Sequence, residues 1–375
     1  MAAKHLRKWI WQQADWPRFR WDAAALSNLL ATARRAQGEV AGMARMLDAD
    51  ADLQAQLEVL TREGAATSAI EGEKFDPNAL RSSLARRLGL PTVGLPPASR
   101  SVEGLADVLL DATRRFAAPL ALEQLNAWQA ALFPTGRSGL HEIRVGELRG
   151  EDPMQIVSGP IGRERVHYEA PPRARLEAEM KKFLDWFNAP LAELDGLLRS
   201  GLAHAWFEAI HPYEDGNGRV GRALLDKALA QDEQRATRLY SMSARFEAVR
   251  DDYYQALGEF SGGTMDVTGW LEWFLVQVAE AARSSEHTVN RVLHKARFWL
   301  KRPSAVLNER QKKALNAMLD AGPDGFVGGM TNKKYAHLTR ASAATSQRDL
   351  ADLVANGCLV LTGAGRGARY ELPPG

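Results

Sequence analysis

One run of twelve residues, His211-Pro212-Tyr213-Glu214-Asp215-Gly216-Asn217-Gly218-Arg219-Val220-Gly221-Arg222, constrains this chain more than any other. Ahead of it, Leu194, Leu197, Leu198, Leu202, Ala205 and Ala209 recur at three- and four-residue steps, the period of an amphipathic helix. Pro212 disfavours right-handed helical backbone at His211, so the helix ends there, and Gly216 and Gly218 make the following positions a tight loop. Val220, Ala223, Leu224 and Ala228 then form the apolar stripe of a second helix. This arrangement aims the loop's N–H groups and the second helix's positive N-terminus at one spot, which suits an anion. Arg219 and Arg222, three apart, share the adjoining face. Taken singly, Asn-Gly is a common hairpin turn and a helix-end histidine a common surface or core residue. Together, an imidazole, a carboxylate, a glycine nest and two guanidiniums are equipment for moving a phosphate-containing group.

The run resembles the signature of the Fic family, H-P-F-x-D-G-N-G-R-x-x-R, with Tyr213 replacing phenylalanine; an aromatic fills that core position either way. The resemblance implies a mainly α fold, an all-helical core with a β-hairpin flap, preceded by a helical extension. It implies that His211 is the general base for a target hydroxyl and that Asp215 holds Mg²⁺ on the α- and β-phosphates of ATP. Asn217 would steady the α-phosphate and the loop, Gly216 and Gly218 would let the backbone approach, and Gly221 counts with these nucleotide-binding residues. Arg219 would neutralise the β-phosphate and Arg222 hold the γ-phosphate. The chemistry of the residues agrees: a neutral imidazole near pH 7 suits proton abstraction, and one carboxylate with phosphate oxygens suits Mg²⁺.

Thr67-Ser68-Ala69-Ile70-Glu71-Gly72 ends a helical stretch marked by Leu53, Leu57 and Leu60. Thr67 and Glu71, four apart, share a helix face, and Gly72 is a natural helix stop. Alone they read as a solvated face and a cap. Beside the signature they resemble the family's inhibitory motif, which implies that Glu71 pairs with Arg222 and keeps the γ-phosphate from seating productively. A carboxylate and a guanidinium match in shape and charge, so the pairing is physically sound.

Trp9, Trp11, Trp16 and Trp21 crowd the N-terminal stretch and read more simply as aromatic staples of a helical region than as a ligand platform. Asp22 caps a helix to about Leu47, and Asp76-Pro77 opens another through Leu88. Helices are predicted at about Val102 to Phe116 and Leu122 to Leu132, after a linker over Pro91 to Pro97. From Phe133 the helical period vanishes for roughly forty residues, long for a compact domain. Within it, Met154 to Ile161 and Arg165 to Pro171 flank Gly162 as a hairpin, which the resemblance identifies with the flap that docks a target segment by strand addition. Tyr253 and Tyr254 resemble aromatics that flank the nucleotide's adenine and ribose, with core packing the equal alternative. Ser261 stands where some relatives place an asparagine. His204, without an i,i+4 partner or thiols, makes no zinc site.

From Leu307, three helices around Leu315, Tyr335 and Ala343 to Leu353 precede a glycine-tipped hairpin, which resembles a winged helix-turn-helix. Lys333, Lys334, Arg340, Arg348, Arg366 and Arg369 are its candidate phosphate contacts, with a protein-interaction wing as the open alternative. The domains expected are 1–97, a helical region with the inhibitory helix; 98–290, the Fic core; and 300–375, the winged-helix-like domain. The net charge is only +2, so no global field advertises nucleic-acid binding. Cys358 is the one cysteine, which excludes an internal disulfide and a multi-cysteine zinc site. With no long apolar span and no P-loop, the expectation is a cytoplasmic protein without membrane partners.

The activity so implied is protein adenylyltransfer, AMP passing from ATP to a Ser, Thr or Tyr hydroxyl of a target protein, autoinhibited by Glu71. Alternatives are removal of AMP or transfer of another phosphate-containing group at the same site, or a DNA-binding regulator with a sensor core. Partners expected are ATP, the hydroxyl-bearing target, a DNA or protein partner at the C-terminal domain and, as an open alternative, a second copy of the chain.

Overall fold

A computed structural model describes the chain except residues 1–8, 91, 93–94, 159–164, 191–193, 237, 302–306, 321–325, 327, 364–367 and 374–375, and the side chains of 158, 286–294, 296–297, 300 and 320. It divides into two packed units, Met1–Ala41 with Gln56–Arg283 and Gly42–Ala55 with Ser284–Gly375.

In the first unit, local chemistry sets the helix ends. α1 (Ala23–Ala44) starts where Asp22 Oδ1 accepts from the N–H groups of Ala24 and Ala25. α2 (Ala49–Ile70) stops as Gly72 turns to φ 78°. α3 (Pro77–Arg87) is capped by Asp76, and α4 (Arg100–Arg114) by Ser99. α5 (Leu122–Leu132) ends at Phe133, and among the described residues no helix follows until α6 (Arg173–Phe187). Between them β1 (Arg137–Ser138) pairs with β2 (His141–Glu142), and β3 (Gln155–Ser158) pairs antiparallel with β4 (Arg165–Glu169). The register shifts between Ile156 and Val157, which face Tyr168 and Val166, so His167 is an extra residue on β4. The expected turn at Gly162 lies outside the described residues. Buried Tyr168 donates its hydroxyl to the Ala209 carbonyl (2.5 Å) and so ties β4 to α7 (Gly196–Ile210).

α7 departs from the amphipathic expectation. From Leu197 to Ile210 every residue but Glu208 is buried, including Arg199, Ser200 and His204. The polar groups are tolerated because each is answered inside: Ser200 donates to the Gly196 carbonyl (2.7 Å), and Arg199 donates to Gln231 and lies 4.8 Å over Phe187. α6, α8 (Asn217–Glu233) and α10 (Arg250–Ser261) pack on it, with α9 (Met242–Ala248) and the start of α11 (Thr268–Leu300) completing the unit. Phe183 of α6 meets Trp206, Phe187 and Phe207 with ring centres 5.4, 5.9 and 6.0 Å apart. The N-terminal tryptophans staple this core: Trp16 packs on Trp206 and donates to buried Glu179 (2.8 Å), and Trp11 donates to the Glu169 carbonyl (2.7 Å).

In the second unit, α12 (Glu309–Asp320), α13 (Asn332–Thr339) and α14 (Ala343–Ala355) are followed by the antiparallel pair β5 (Val360–Thr362) and β6 (Arg369–Glu371). Met330 bridges Tyr370 beside them. Leu315, Met318, Leu319, Tyr335, Leu350 and Leu353 are core, as is Cys358. Lys333, Arg340, Arg348 and Arg369 are exposed, Lys334 donates to the Gly329 carbonyl (2.9 Å), and Arg366 lies outside the described residues.

The aromatic cluster makes a stability prediction. Phe183 has no exposed surface, so Phe183→Ala is expected to lower the unfolding free energy by about 3–5 kcal/mol. Urea denaturation followed by tryptophan fluorescence measures it, and a loss below about 1 kcal/mol would contradict a packed core here.

Candidate active site

The turn from α7 to α8 is built as the spacing predicts, with one addition. His211 closes α7 in the left-handed region (φ 51°, ψ 62°), which side chains other than glycine seldom adopt. Gly216, at φ 87°, opens α8, and a Cβ there would stand 2.7 Å from the Phe133 ring. Asn217 clips the loop shut: its Oδ1 accepts from the Tyr213 N–H (2.9 Å) and its Nδ2 donates to the Tyr213 carbonyl (2.8 Å). Tyr213 is fully buried and donates its hydroxyl to Asn126 (3.0 Å). Glu214 accepts from the N–H of Arg144 (2.9 Å). The first backbone bond into α8 runs from the Val220 N–H to the Gly216 carbonyl, so the N–H groups of Asn217, Gly218 and Arg219 stand ahead of the helix ladder.

The side chains of this loop converge with the end of α2. Arg222, 2% exposed, donates through Nε to Thr67 Oγ1 (2.7 Å) and through Nη2 to the Thr67 carbonyl (3.0 Å) and Glu71 Oε1 (2.6 Å). Burial pushes the Glu71 carboxyl upward, but the Arg222 guanidinium, helped by Arg219, outweighs it and holds the group below its ordinary value. Glu71 is therefore ionised at neutral pH, with 32% of its side chain open. Gly218 makes room for it, since a Cβ there would lie 2.3 Å from Glu71 Oε1. Arg219 has its own acid, Glu73 (2.7 Å), and lies 4.8 Å over Phe133. Its Nε is buried without a hydrogen-bond partner.

His211 Nδ1 lies 3.2 Å from the Glu208 carbonyl, which can only accept. Nδ1 thus carries the hydrogen and Nε2 is the basic atom. Enclosure lowers the imidazole pKa to about 4, although 19% of the side chain is open. Beside it Glu208, one oxygen buried and unpartnered, is pushed by burial up to about 7. Asp215 accepts from the Gly216 N–H (2.5 Å) and from the Ser138 hydroxyl.

The remaining candidates separate. His204 is buried, neutral and lowered by burial to about 3; it donates to the Gly221 carbonyl (3.0 Å) and accepts from the Tyr253 hydroxyl (2.8 Å). Gly221 thereby serves the α7–α8 crossing. Tyr253 is 1% exposed, its ring stacked on Phe246 at 4.5 Å, whereas Tyr254 is 44% exposed and donates to the Ile70 carbonyl (3.3 Å). Of the pair, only Tyr254 has ring surface to offer. Ser261 is buried. Ser138, Glu73, Phe133 and Glu208 are neighbours that spacing did not reveal; of these only Glu73, two residues beyond Glu71, had a visible signal.

Residues 119–229 match the Fic/DOC family, and residues 9–90 match a domain of unknown function, DUF4172. The chain thus contains a Fic/DOC family domain. It is similar to a probable protein adenylyltransferase of Aquifex aeolicus, 31% identical over 100 residues, which are 27% of this chain. The match spans only 28% of that relative's length. In fold it is similar to a Fic family protein from Desulfovibrio desulfuricans G20, with a TM-score of 0.54, 20% identity and coverage of 94% of this chain and 97% of that one.

The imidazole makes a titration prediction. Because its folded pKa lies below the free histidine value of about 6.5, the unfolded chain binds this proton more readily, and its contribution to stability falls as pH drops from about 6.5 toward 4. Glu208, raised by burial to about 7, and Asp226, likewise raised by burial, act in the opposite sense, so the signal is the titration of His211 itself. An NMR titration assigned with His211→Ala is expected to find His211 neutral at pH 5.5; a midpoint at or above about 6.5 would contradict the enclosure described.

Proposed function

We propose that the Fic/DOC domain of this chain transfers AMP from ATP to a Ser, Thr or Tyr hydroxyl of a target protein, and that Glu71 holds the enzyme in an inhibited state. The observation that carries this is the convergence of His211, Asp215, Arg219 and Arg222 on the N-terminus of α8, with the Glu71 carboxylate lodged against Arg222. The buried, unpartnered Nε of Arg219 is a spare donor that fits an anion richer in oxygens than Glu73 alone. Asp215, whose two oxygens together offer about four acceptor sites, retains capacity for a cation beyond the two hydrogen bonds it accepts.

In this reading His211 Nε2 takes the proton of the target hydroxyl as its oxygen bonds to the α-phosphorus. The bond from that phosphorus to the bridging oxygen breaks, and pyrophosphate leaves with the electron pair. Asp215 would hold Mg²⁺, which when bound would supply charge neutralisation on the phosphates. Arg219 and the leading N–H groups of α8 stabilise the oxyanions, and Arg222 receives the γ-phosphate when Glu71 withdraws. Until then the carboxylate competes for that guanidinium by charge and volume.

Initial rates of α-labelled AMP incorporation test this. His211→Ala is expected to remove transfer, by roughly 10² to 10⁴-fold, while ATP still binds. Glu71→Gly is expected to raise transfer on the order of 10²-fold, since a phosphate misplaced by about 1 Å costs that much. Arg222→Ala and the double variant should both lack the gain, because the two residues act as one unit. Equal rates for wild type and Glu71→Gly would reduce Glu71 to a helix-end carboxylate, and retained transfer in His211→Ala would refute the assignment of the base. Release of label from a premodified target without incorporation would point to AMP removal instead.

A further inference from the structure

Arg149, in the non-helical stretch before β3, is 1% exposed and makes contacts unlike those of an ordinary structural arginine. Its Nε donates to the His211 carbonyl (2.9 Å) and its backbone N–H to the Pro212 carbonyl (3.0 Å). Its Nη2 donates to the Pro171 carbonyl, just past β4. Among the described residues no carboxylate pairs with it, and Nη1 is buried without a partner. A guanidinium taken out of water and given only carbonyls is costly, and here the carbonyls it takes are those of His211 and of Pro171 at the foot of the hairpin. The left-handed backbone of His211 persists only if its surroundings over-determine it.

We infer that Arg149 is a positioning residue of the transfer site, its buried guanidinium tying the His211 carbonyl to the root of the β3–β4 hairpin. The inference rests on the transfer reading of the site. The geometry has two consequences. The imidazole and the hairpin are set relative to each other by one side chain, with the Tyr168 hydroxyl on the Ala209 carbonyl as a second tie. The uncompensated charge also sits close enough to His211 to disfavour its protonation. Among the described residues, the other charged groups that act on that imidazole are Glu208 from α7, Glu71 at the end of α2 and Asp215 in the loop, and all three are acids. Arg149 is thus the cation that opposes them.

The test uses the full chain carrying Glu71→Gly, with Arg149 intact, Arg149→Lys or Arg149→Gln. Lysine keeps the charge but cannot span the carbonyls as a planar fork does. At saturating ATP, Arg149→Gln is expected to lose roughly 10²-fold in transfer with little change in KM for ATP, and Arg149→Lys to recover part of that loss. By NMR, the His211 midpoint is expected to rise in Arg149→Gln and to stay near its starting value in Arg149→Lys. An unreduced rate in Arg149→Gln would overturn the inference. So would equal losses in both variants with an unmoved midpoint, which would leave only a contribution to folding. Should Arg149→Gln fail to fold, the Arg149→Lys rate decides, and a rate equal to that of the intact protein counts against the fork. If the parent protein with Arg149 intact transfers nothing, the transfer reading has failed, and the titration still decides whether Arg149 sets the His211 proton.

Discussion

The buried guanidinium of Arg222 is the group on which the rest of the site depends. A charge at 2% exposure is tolerated only with close partners, and here the end of α2 supplies three acceptors, the Thr67 hydroxyl and carbonyl and the Glu71 carboxylate. The C-terminal end of one helix is therefore captive to the first turns of another, far from it in sequence. Removing one member of a fully buried ion pair costs about 3–5 kcal/mol; with 32% of its side chain open, Glu71 accounts for less than that. The asymmetry has a functional consequence. Whatever replaces Glu71 must bring negative charge and acceptor oxygens, which a phosphate does.

Around this clasp the loop is held by bonds to its backbone and from its side chains. Asn217 closes it through Tyr213, Glu214 anchors it through Arg144, and Arg149 grips both His211 and Pro212. Donors fixed in advance cost no reorganisation when charge develops, which is how a static arrangement of N–H groups and guanidiniums becomes useful for phosphoryl chemistry. The same enclosure keeps His211 neutral with Nε2 as its basic atom. Position, protonation state and tautomer of the imidazole are thus set by the fold before any substrate arrives.

What the sequence made legible is what local chemistry decides. The helix–loop–helix at His211, the caps at Asp22 and Asp76 and the stop at Gly72 follow from residue type and spacing, and each stands where those signals point. Glu71 and Arg222 are 151 residues apart, and only the family resemblance joined them on paper. Ser138 and Arg149 could not be read, because the stretch after Phe133 has no period from which to infer which side chains face inward. The burial of α7 on every side was hidden for another reason: Arg199, Ser200 and His204 look like a solvent face until their internal partners are known. The aromatic pair shows the same limit, since nothing in Tyr253-Tyr254 tells which ring stacks in the core.

The central claim, that Glu71 and the γ-phosphate compete for Arg222, separates ATP from ADP. Calorimetric titration of both nucleotides into wild type and Glu71→Gly tests it without relying on turnover. Freed of the carboxylate, the protein is expected to bind ATP roughly tenfold more tightly, about 1.4 kcal/mol, while its affinity for ADP, which has no γ-phosphate, stays within about twofold. An equal change for the two nucleotides, or none for ATP, would contradict the account.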